Sequence, residues 1–392
     1  MIIASLPTIP ERRQFFLQVV RRILYEQIQP IHQLHVWLNG YKEIPADFPA
    51  DERLQYHLCP ENPGPWVRYR VVRLAGDNDL FATLDDDLVY PPDYVETSVR
   101  LHALRSEMQV LAFGGIRWDP CVESYVYGDS RLQFAYTNPV QTPNIVATLM
   151  GGVAWFTAKV TRQLEGVSFK GFEFNDDLAV SAKLQQAGYS IQCECKPRLW
   201  IGDTQDAHDE RALYRSDSRN RAMALLCVVE RFGFDPSSGW LQQFLSKPQR
   251  VLVVSSHCPP LSGSSKLHDY LCSMIDDETG VHLLAPVPAS QTSAVQRNVN
   301  VPYSIHAVSV PEPGGRLDWF SPVRVWRNRR VENDSRRRFL QRFKVVMQKL
   351  QPTHVEWFGA KPPAWLQLPK GHETSVADNR NAPRHRRCCS CD

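Results

Sequence analysis

The stretch Phe81-Ala82-Thr83-Leu84-Asp85-Asp86-Asp87-Leu88-Val89-Tyr90-Pro91-Pro92 restricts what this chain can be more than any other. Phe81 to Leu84 predict a short buried strand, three carboxylates fall at its carboxyl end, and the proline pair turns the backbone out of it. Three acids held away from water are costly without cations. A divalent metal together with a diphosphate satisfies them, because hard Mg²⁺ or Mn²⁺ takes carboxylate oxygens and bridges to phosphate oxygens. The alternative is an acidic, solvated turn after a strand, and the surrounding sequence has to separate the two.

The surroundings predict an α/β domain. Ile2 to Leu6 reads as a first strand, Pro7-Thr8-Ile9-Pro10 as a loop, and Glu11 to Gln27 as a helix with Phe15, Phe16, Val19, Val20, Ile23 and Leu24 at helical spacing. Strands follow at His35 to Leu38, ending at Asn39-Gly40, and at Leu54 to Leu58, leading into Pro60-Glu61-Asn62-Pro63-Gly64-Pro65. Val67 to Leu74 is expected as a helix before the acidic strand. Such alternation is that of a doubly wound sheet, where ligands bind outside the carboxyl ends of the strands. After the triplet come a helix over Pro92 to Ser106 and a strand over Val110 to Trp118, broken at Gly114-Gly115. Met150-Gly151-Gly152-Val153-Ala154-Trp155-Phe156 is a Gly-rich turn running into an apolar strand, either a tight bend alone or backbone held close to a substrate. Asp176-Asp177 open a helix that closes at Gly188, before a strand over Ser190 to Cys195. Helix capping accounts for one such acid and less well for two. Asp203 to Asp209, with His208, is a polar loop, and Leu213 to Phe232 a helix carrying Arg215, Arg219, Asn220 and Arg221.

With 392 residues the chain has room for two domains. The first is expected over 1–235 and a linker over 236–249. A second α/β domain over 250–369 opens on Val251-Leu252-Val253-Val254-Ser255-Ser256-His257-Cys258-Pro259-Pro260 and continues through a basic helix near Arg327 to Leu350 and a strand His354 to Phe358. The basic, Cys-bearing tail over 370–392 is expected to be disordered. Lys and Arg number 45 against 42 Asp and Glu, a net charge of +3 that favours neither nucleic-acid binding nor an acidic tail. Ten cysteines without metal-type spacing read as reduced thiols. The amino terminus enters a strand at once without the features of a signal peptide, and no run reaches the roughly 18 apolar residues of a membrane span. A cytoplasmic protein is expected.

Four ordered pieces carry a family resemblance: Ser5-Leu6-Pro7-Thr8-Ile9-Pro10-Glu11-Arg12, Asn62-Pro63-Gly64, Asp85-Asp86-Asp87 and Asp176-Asp177. Over about its first 230 residues the chain resembles an inverting GT-A glycosyltransferase of the large second family, close to the transferases of capsule and lipopolysaccharide sugars. The resemblance implies a nucleotide-diphosphate sugar as donor, a saccharide or lipid-linked acceptor, and Mn²⁺ or Mg²⁺ as cofactor. It places Pro7, Thr8, Arg12, Asn39, Asn62, Gly64, Arg68, Asp85 and Asp86 on the donor, and Asp87, Asp85 and His208 on the metal. Gly151, Gly152 and Trp155 go to the acceptor. Asp177 is implied as the general base, with Asp176 as the other candidate because it replaces the commoner Glu of the pair; Lys183 replaces the usual Arg of the helix that follows. From Arg250 onward the chain resembles the amino-terminal half of a GT-B glycosyltransferase, without room for the second Rossmann domain that holds the nucleotide sugar in that fold. The basic segment around Arg324 to Arg342 suits a solvated helix face or peripheral contact with an anionic membrane.

Two other functions compete. A nucleotidyltransferase also uses Asp clusters on an α/β sheet but needs a Gly-rich basic signature near the first strand, which Ser5 to Arg12 lacks. A carbohydrate-binding or scaffold protein on the same fold has no use for intact Asp85, Asp87 and Asp177.

Overall fold

The computed structural model describes residues 1–74, 76, 78–118, 131–140, 143–165, 167, 169–170, 172–204, 224–225, 227, 229–236, 240–255, 265–275, 278–288, 304–310, 337–358 and 373–377. They form two compact units that divide between Trp240 and Leu241.

In the first unit the strands are β1 (Ile2–Thr8), β2 (Gln33–Asn39), β3 (Leu54–Cys59), β4 (Leu80–Thr83), β5 (Leu88–Val89), β6 (Gln109–Ala112), β7 (Gly115–Trp118), β8 (Arg131–Phe134), β9 (Asn144–Val146), β10 (Thr148–Leu149), β11 (Ala154–Thr157), β12 (Ser190–Cys193) and β13 (Gly202–Asp203). Its helices are α1 (Arg13–Tyr25), α2 (Tyr94–Ala103), α3 (Ala158–Arg162) and α4 (Asp176–Gln186). The main sheet has the order β3-β2-β1-β4-β11-β6-β12-β9. β1 runs parallel to both β2 and β4, so the strand order reverses beside it, and β11 runs antiparallel between β4 and β6. This is a mixed, doubly wound α/β sheet consistent with the GT-A-like fold expected from the sequence.

Side-chain alternation explains how the layers assemble. Leu34, Val36 and Leu38 of β2 join Phe16, Val19, Val20, Ile23 and Leu24 of α1 in one core. His35, Trp37 and Asn39 fall on the other face, against a 3-10 helix over Pro65–Leu74 that replaces the helix expected at Val67 to Leu74. Pro7 and Thr8, expected in a loop, are the last residues of β1, because the parallel ladder with β2 continues through Thr8 and Leu38. The Gly114-Gly115 break is real: β6 belongs to the main sheet, whereas β7 pairs with β8 and β10.

The second unit holds a five-stranded, wholly parallel sheet of order β16-β15-β14-β17-β18, made of β14 (Gln249–Ser255), β15 (Thr279–Pro288), β16 (Ser304–Val310), β17 (His354–Phe358) and β18 (Glu373–Ala377). Both faces of this Rossmann-like sheet are buried, as a parallel sheet requires. Leu252, Val254 and Trp357 pack with Phe343, Val346 and Leu350 of the helix over 337–350, while Val251 and Val253 pack with Leu267 and Leu271 of a helix over Ser265–Ser273. Two expectations are corrected. Within the supposed linker, Trp240–Leu245 is helical, and Leu241, Phe244 and Leu245 pack into this core. Within the supposed disordered tail, Glu373–Ala377 pairs with β17. Among the described residues, no helix is long and apolar enough to cross a membrane.

Candidate active site

The reversal of strand order between β1 and β4 opens a crevice at their carboxyl ends, and the acidic triplet leaves β4 directly into it. Two arginines meet the carboxylates there. Arg12, on the 3-10 turn Pro10–Arg12 that follows β1, places one Nη1 at 3.0 Å from Asp86 Oδ1 and 3.0 Å from Asp87 Oδ2. Arg68, from the 3-10 helix beneath the sheet, is 3% exposed. Its Nη1 donates to Asp85 Oδ1 at 2.8 Å and to the Leu84 carbonyl at 3.2 Å, and its Nε donates to the Pro65 carbonyl at 3.0 Å. The same Nε stands 3.3 Å from Asp176 Oδ2 at the start of α4. Arg68 therefore bridges two carboxylates 91 positions apart in sequence, Asp85 and Asp176.

Burial and like charge set the titration of these groups. The Asp87 carboxyl is pushed up to about 7 by burial and then by Asp85, against the pull of Arg12. Asp176 is also pushed up to about 7, by burial first, with Asp177 and Asp85 adding to it and Arg68 opposing. Burial raises Asp86 as well, with Arg12 opposing. Burial alone would lower both guanidiniums, yet the surrounding carboxylates outweigh it and raise both. Asp176 thus favours its protonated form in the folded state. Its contribution to stability is complete below its unfolded pKa of 3.8 and is lost as pH rises through about 7. Comparing wild type with Asp176→Asn in urea at pH 5 and pH 8, we expect the variant to gain on the order of 2 kcal/mol relative to wild type over that interval. Parallel pH dependence in the two proteins would exclude an elevated Asp176.

Glycines and tyrosines shape the walls. A Cβ on Gly152 would overlap the Asp85 carboxylate, and one on Gly151 would press on the Arg68 guanidinium at 3.3 Å. The two glycines expected at the acceptor therefore stand first of all against the acidic cluster. Tyr90 Oη accepts from the Asp85 amide at 2.8 Å and donates to the Gly152 carbonyl at 2.7 Å, tying the triplet to the Gly-rich turn. Trp155 is a correction: it is fully buried in the core, and its indole donates to Tyr94 Oη at 3.0 Å, so it packs the sheet and offers an acceptor no surface.

The remaining residues expected on the donor line the strand ends. Thr8 is buried at the end of β1 and acts on Asp86. Asn39, buried at the end of β2, donates to the Gly64 carbonyl at 3.0 Å. Asn62 and Gly64 take positive φ values of 43° and 100° in the loop after β3. Asp176 is 5% exposed, whereas Asp177 is half-buried and accepts the Leu178 amide at 2.9 Å. His208, Arg219 and Asn220 lie outside the described residues.

Sequence reasoning missed the segment from Gly202 to Thr204. It pairs with β5, and the Thr204 amide donates to the Asp87 carbonyl at 3.0 Å. The Tyr136 hydroxyl is raised by burial and by a hydrogen bond with Asp203, within the field of Asp87 and Asp85. No local pattern announces Tyr136; Asp203 was visible only as one member of a polar loop.

As to metal, no three His, Cys, Asp or Glu side chains among the described residues gather into a ready chelate. The donor chemistry nevertheless fits a hard dication. Asp85 and Asp87 offer carboxylate oxygens, and a divalent ion held by them would oppose the burial and like charge that raise Asp87. Mg²⁺ sites commonly use one or two carboxylates with water and substrate phosphates completing the shell.

No family model matches the sequence, and no curated protein matches it. Among solved structures, Staphylococcus aureus TarS aligns at 10% identity and a TM-score of 0.33, covering 58% of this chain and 39% of TarS. The chain thus spans well under half of that structure. Its fragment TarS 1-349 in complex with UDP aligns at 11% identity and TM-score 0.38, over 62% of this chain and 75% of the fragment. The glycosyltransferase GlyE of Streptococcus pneumoniae TIGR4 aligns at 11% identity and TM-score 0.30, over 97% of this chain and 96% of GlyE. Likenesses of this depth add nothing to what the strand order itself establishes.

Proposed function

We propose that the first unit is an inverting glycosyltransferase that moves a sugar from a nucleotide-diphosphate donor to a saccharide or lipid-linked hydroxyl in surface polysaccharide synthesis. The observation that carries this reading is the convergence, at the β1/β4 crevice, of the triplet Asp85-Asp86-Asp87 with Arg12, Arg68 and the Asp176-Asp177 helix start. A leaving diphosphate needs cationic groups on one side, and an attacking hydroxyl needs a base on the other. Arg12, a quarter exposed beside Asp86 and Asp87, and a dication held by Asp85 and Asp87 would provide the first. Asp177 suits the second better than Asp176, because Asp176 is buried and ion-paired with Arg68 whereas Asp177 is partly open to solvent.

Asp177 then takes the acceptor proton as that oxygen attacks the anomeric carbon, and the bond to the diphosphate oxygen breaks on the opposite face, inverting the centre. Asp85 and Asp87 would hold Mn²⁺ or Mg²⁺, which when bound neutralises phosphate charge. The second unit, with its GT-B-like opening, has no assigned part in this chemistry.

The test is hydrolysis of a panel of nucleotide sugars by the full chain, without acceptor, in Mn²⁺ and in EDTA. Slow release of nucleoside diphosphate from at least one donor, most of it lost in EDTA, is the expected result. Release from none of the panel would remove the proposal, and release undiminished by EDTA would remove its metal.

A further inference from the structure

Phe174 is the only exposed phenylalanine among the described residues, at 44% exposure. Single exposed apolar side chains are common and need no explanation by themselves. Its location is what makes this one informative. Phe172 to Asn175 form a tight turn closed by the Asn175 amide on the Phe172 carbonyl at 2.9 Å, and the next two residues are Asp176 and Asp177. In two steps the chain passes from an exposed ring to an acid that is 5% exposed.

The turn is held firmly. Phe172 is 2% exposed, and the Glu173 carbonyl lies so close to Gly64 that a Cβ there would overlap it. Gly64 at φ 100° belongs to the loop after β3, whose carbonyl is fixed by Asn39. The acid pair and the donor-side loop are thus locked together, with Phe174 presented to solvent at the join. Trp66, from the same loop, is already occupied: Phe169 stacks on it at 5.1 Å and the Arg70 guanidinium covers it at 4.7 Å.

We propose that Phe174 is the platform on which the acceptor's sugar ring stacks, an inference that rests on the glycosyltransferase reading above. A pyranose has a face of C–H groups that suits an aromatic ring, while its hydroxyls need polar partners; a ring beside a carboxylate base supplies both. The phenyl fixes the plane of the acceptor, and Asp177 takes the proton of the hydroxyl presented at its edge. In this placement the ring's contribution falls on acceptor affinity.

The experiment uses the full chain and the methyl glycosides of glucose, galactose and N-acetylglucosamine as probes, with the nucleotide sugar that wild type hydrolyses. Wild type, Phe174→Ala and Phe174→Trp are compared for acceptor-free donor hydrolysis, for transfer to each glycoside, and for saturation transfer by NMR from protein aromatic protons to the glycoside. The expected result is equal donor hydrolysis in all three, with saturation transfer present in wild type and the Trp variant and lost in the Ala variant. The acceptor KM should rise about tenfold in Phe174→Ala and recover in Phe174→Trp, the size of an aromatic contact. An unchanged KM, saturation transfer surviving in Phe174→Ala, or no saturation transfer in wild type would overturn the inference while leaving the donor chemistry standing. Donor hydrolysis that falls along with acceptor affinity would assign the ring to holding the turn, which also overturns it. Absence of donor hydrolysis in wild type would instead remove the underlying reading, and this inference with it.

Discussion

Asp177→Asn should cut turnover by roughly 10² to 10⁴ while donor affinity changes little, the size expected when a general base loses its acceptance of a proton but its shape is kept. The substitution is nearly isosteric. Asp177 sits in the first turn of α4, and its Oδ1 accepts the Leu178 amide, a role that the Asn carbonyl oxygen can retain. Asp176→Asn should lower turnover less, because in the proposed mechanism the buried Asp176 acts only through its contact with Arg68. Steady-state transfer with saturating donor gives turnover, and calorimetric titration with the nucleoside diphosphate in Mn²⁺ gives donor-side affinity. If Asp176→Asn proves the more damaging, the base is Asp176. If Asp177→Asn loses donor affinity in proportion to turnover, Asp177 belongs to the donor site.

The contrast between these two neighbours shows what the sequence could and could not carry. Periodicity exposed the alternating strands and α1, because Phe16, Val19, Val20, Ile23 and Leu24 recur at helical spacing and are all buried. The triplet announced the crevice, because carboxylates at a strand end require partners. What those partners are is a long-range matter. Nothing local to Arg68 says that its guanidinium is buried between Asp85 and Asp176; judged alone it reads as a surface residue. The same limit explains Trp155, which the sequence places at the acceptor. β11 runs antiparallel between β4 and β6, and its Trp155 is enclosed in the core that holds Tyr94 and Phe113. Pro236 and Pro248 flank Trp240–Leu245 and suit a linker, and only packing against Leu252 and Phe343 makes it part of a core.

Arg68→Leu should destabilise the first unit by about 3 to 5 kcal/mol at neutral pH, the cost typical of removing one partner from a buried ionic group. The guanidinium is the common partner of Asp85 and Asp176, and its loss leaves two carboxylates facing each other beneath Gly151 and Gly152. It also strips donors from the Pro65 and Leu84 carbonyls, which an aliphatic side chain cannot replace. The sign of the pH effect follows from Asp176. That carboxyl already titrates near 7 with Arg68 in place, and removing the cation pushes it further up. At pH 5 Asp176 is then protonated in the folded variant, so part of the repulsion disappears and the penalty should be smaller than at pH 7.5. Arg68→Lys keeps a positive charge but not the planar fork that reaches both acids, and should fall between wild type and Arg68→Leu. Urea unfolding of the three proteins at both pH values measures all of this. A loss below about 1 kcal/mol for Arg68→Leu at pH 7.5, or a loss that does not shrink at pH 5, would show that Arg68 does not hold Asp85 and Asp176 together.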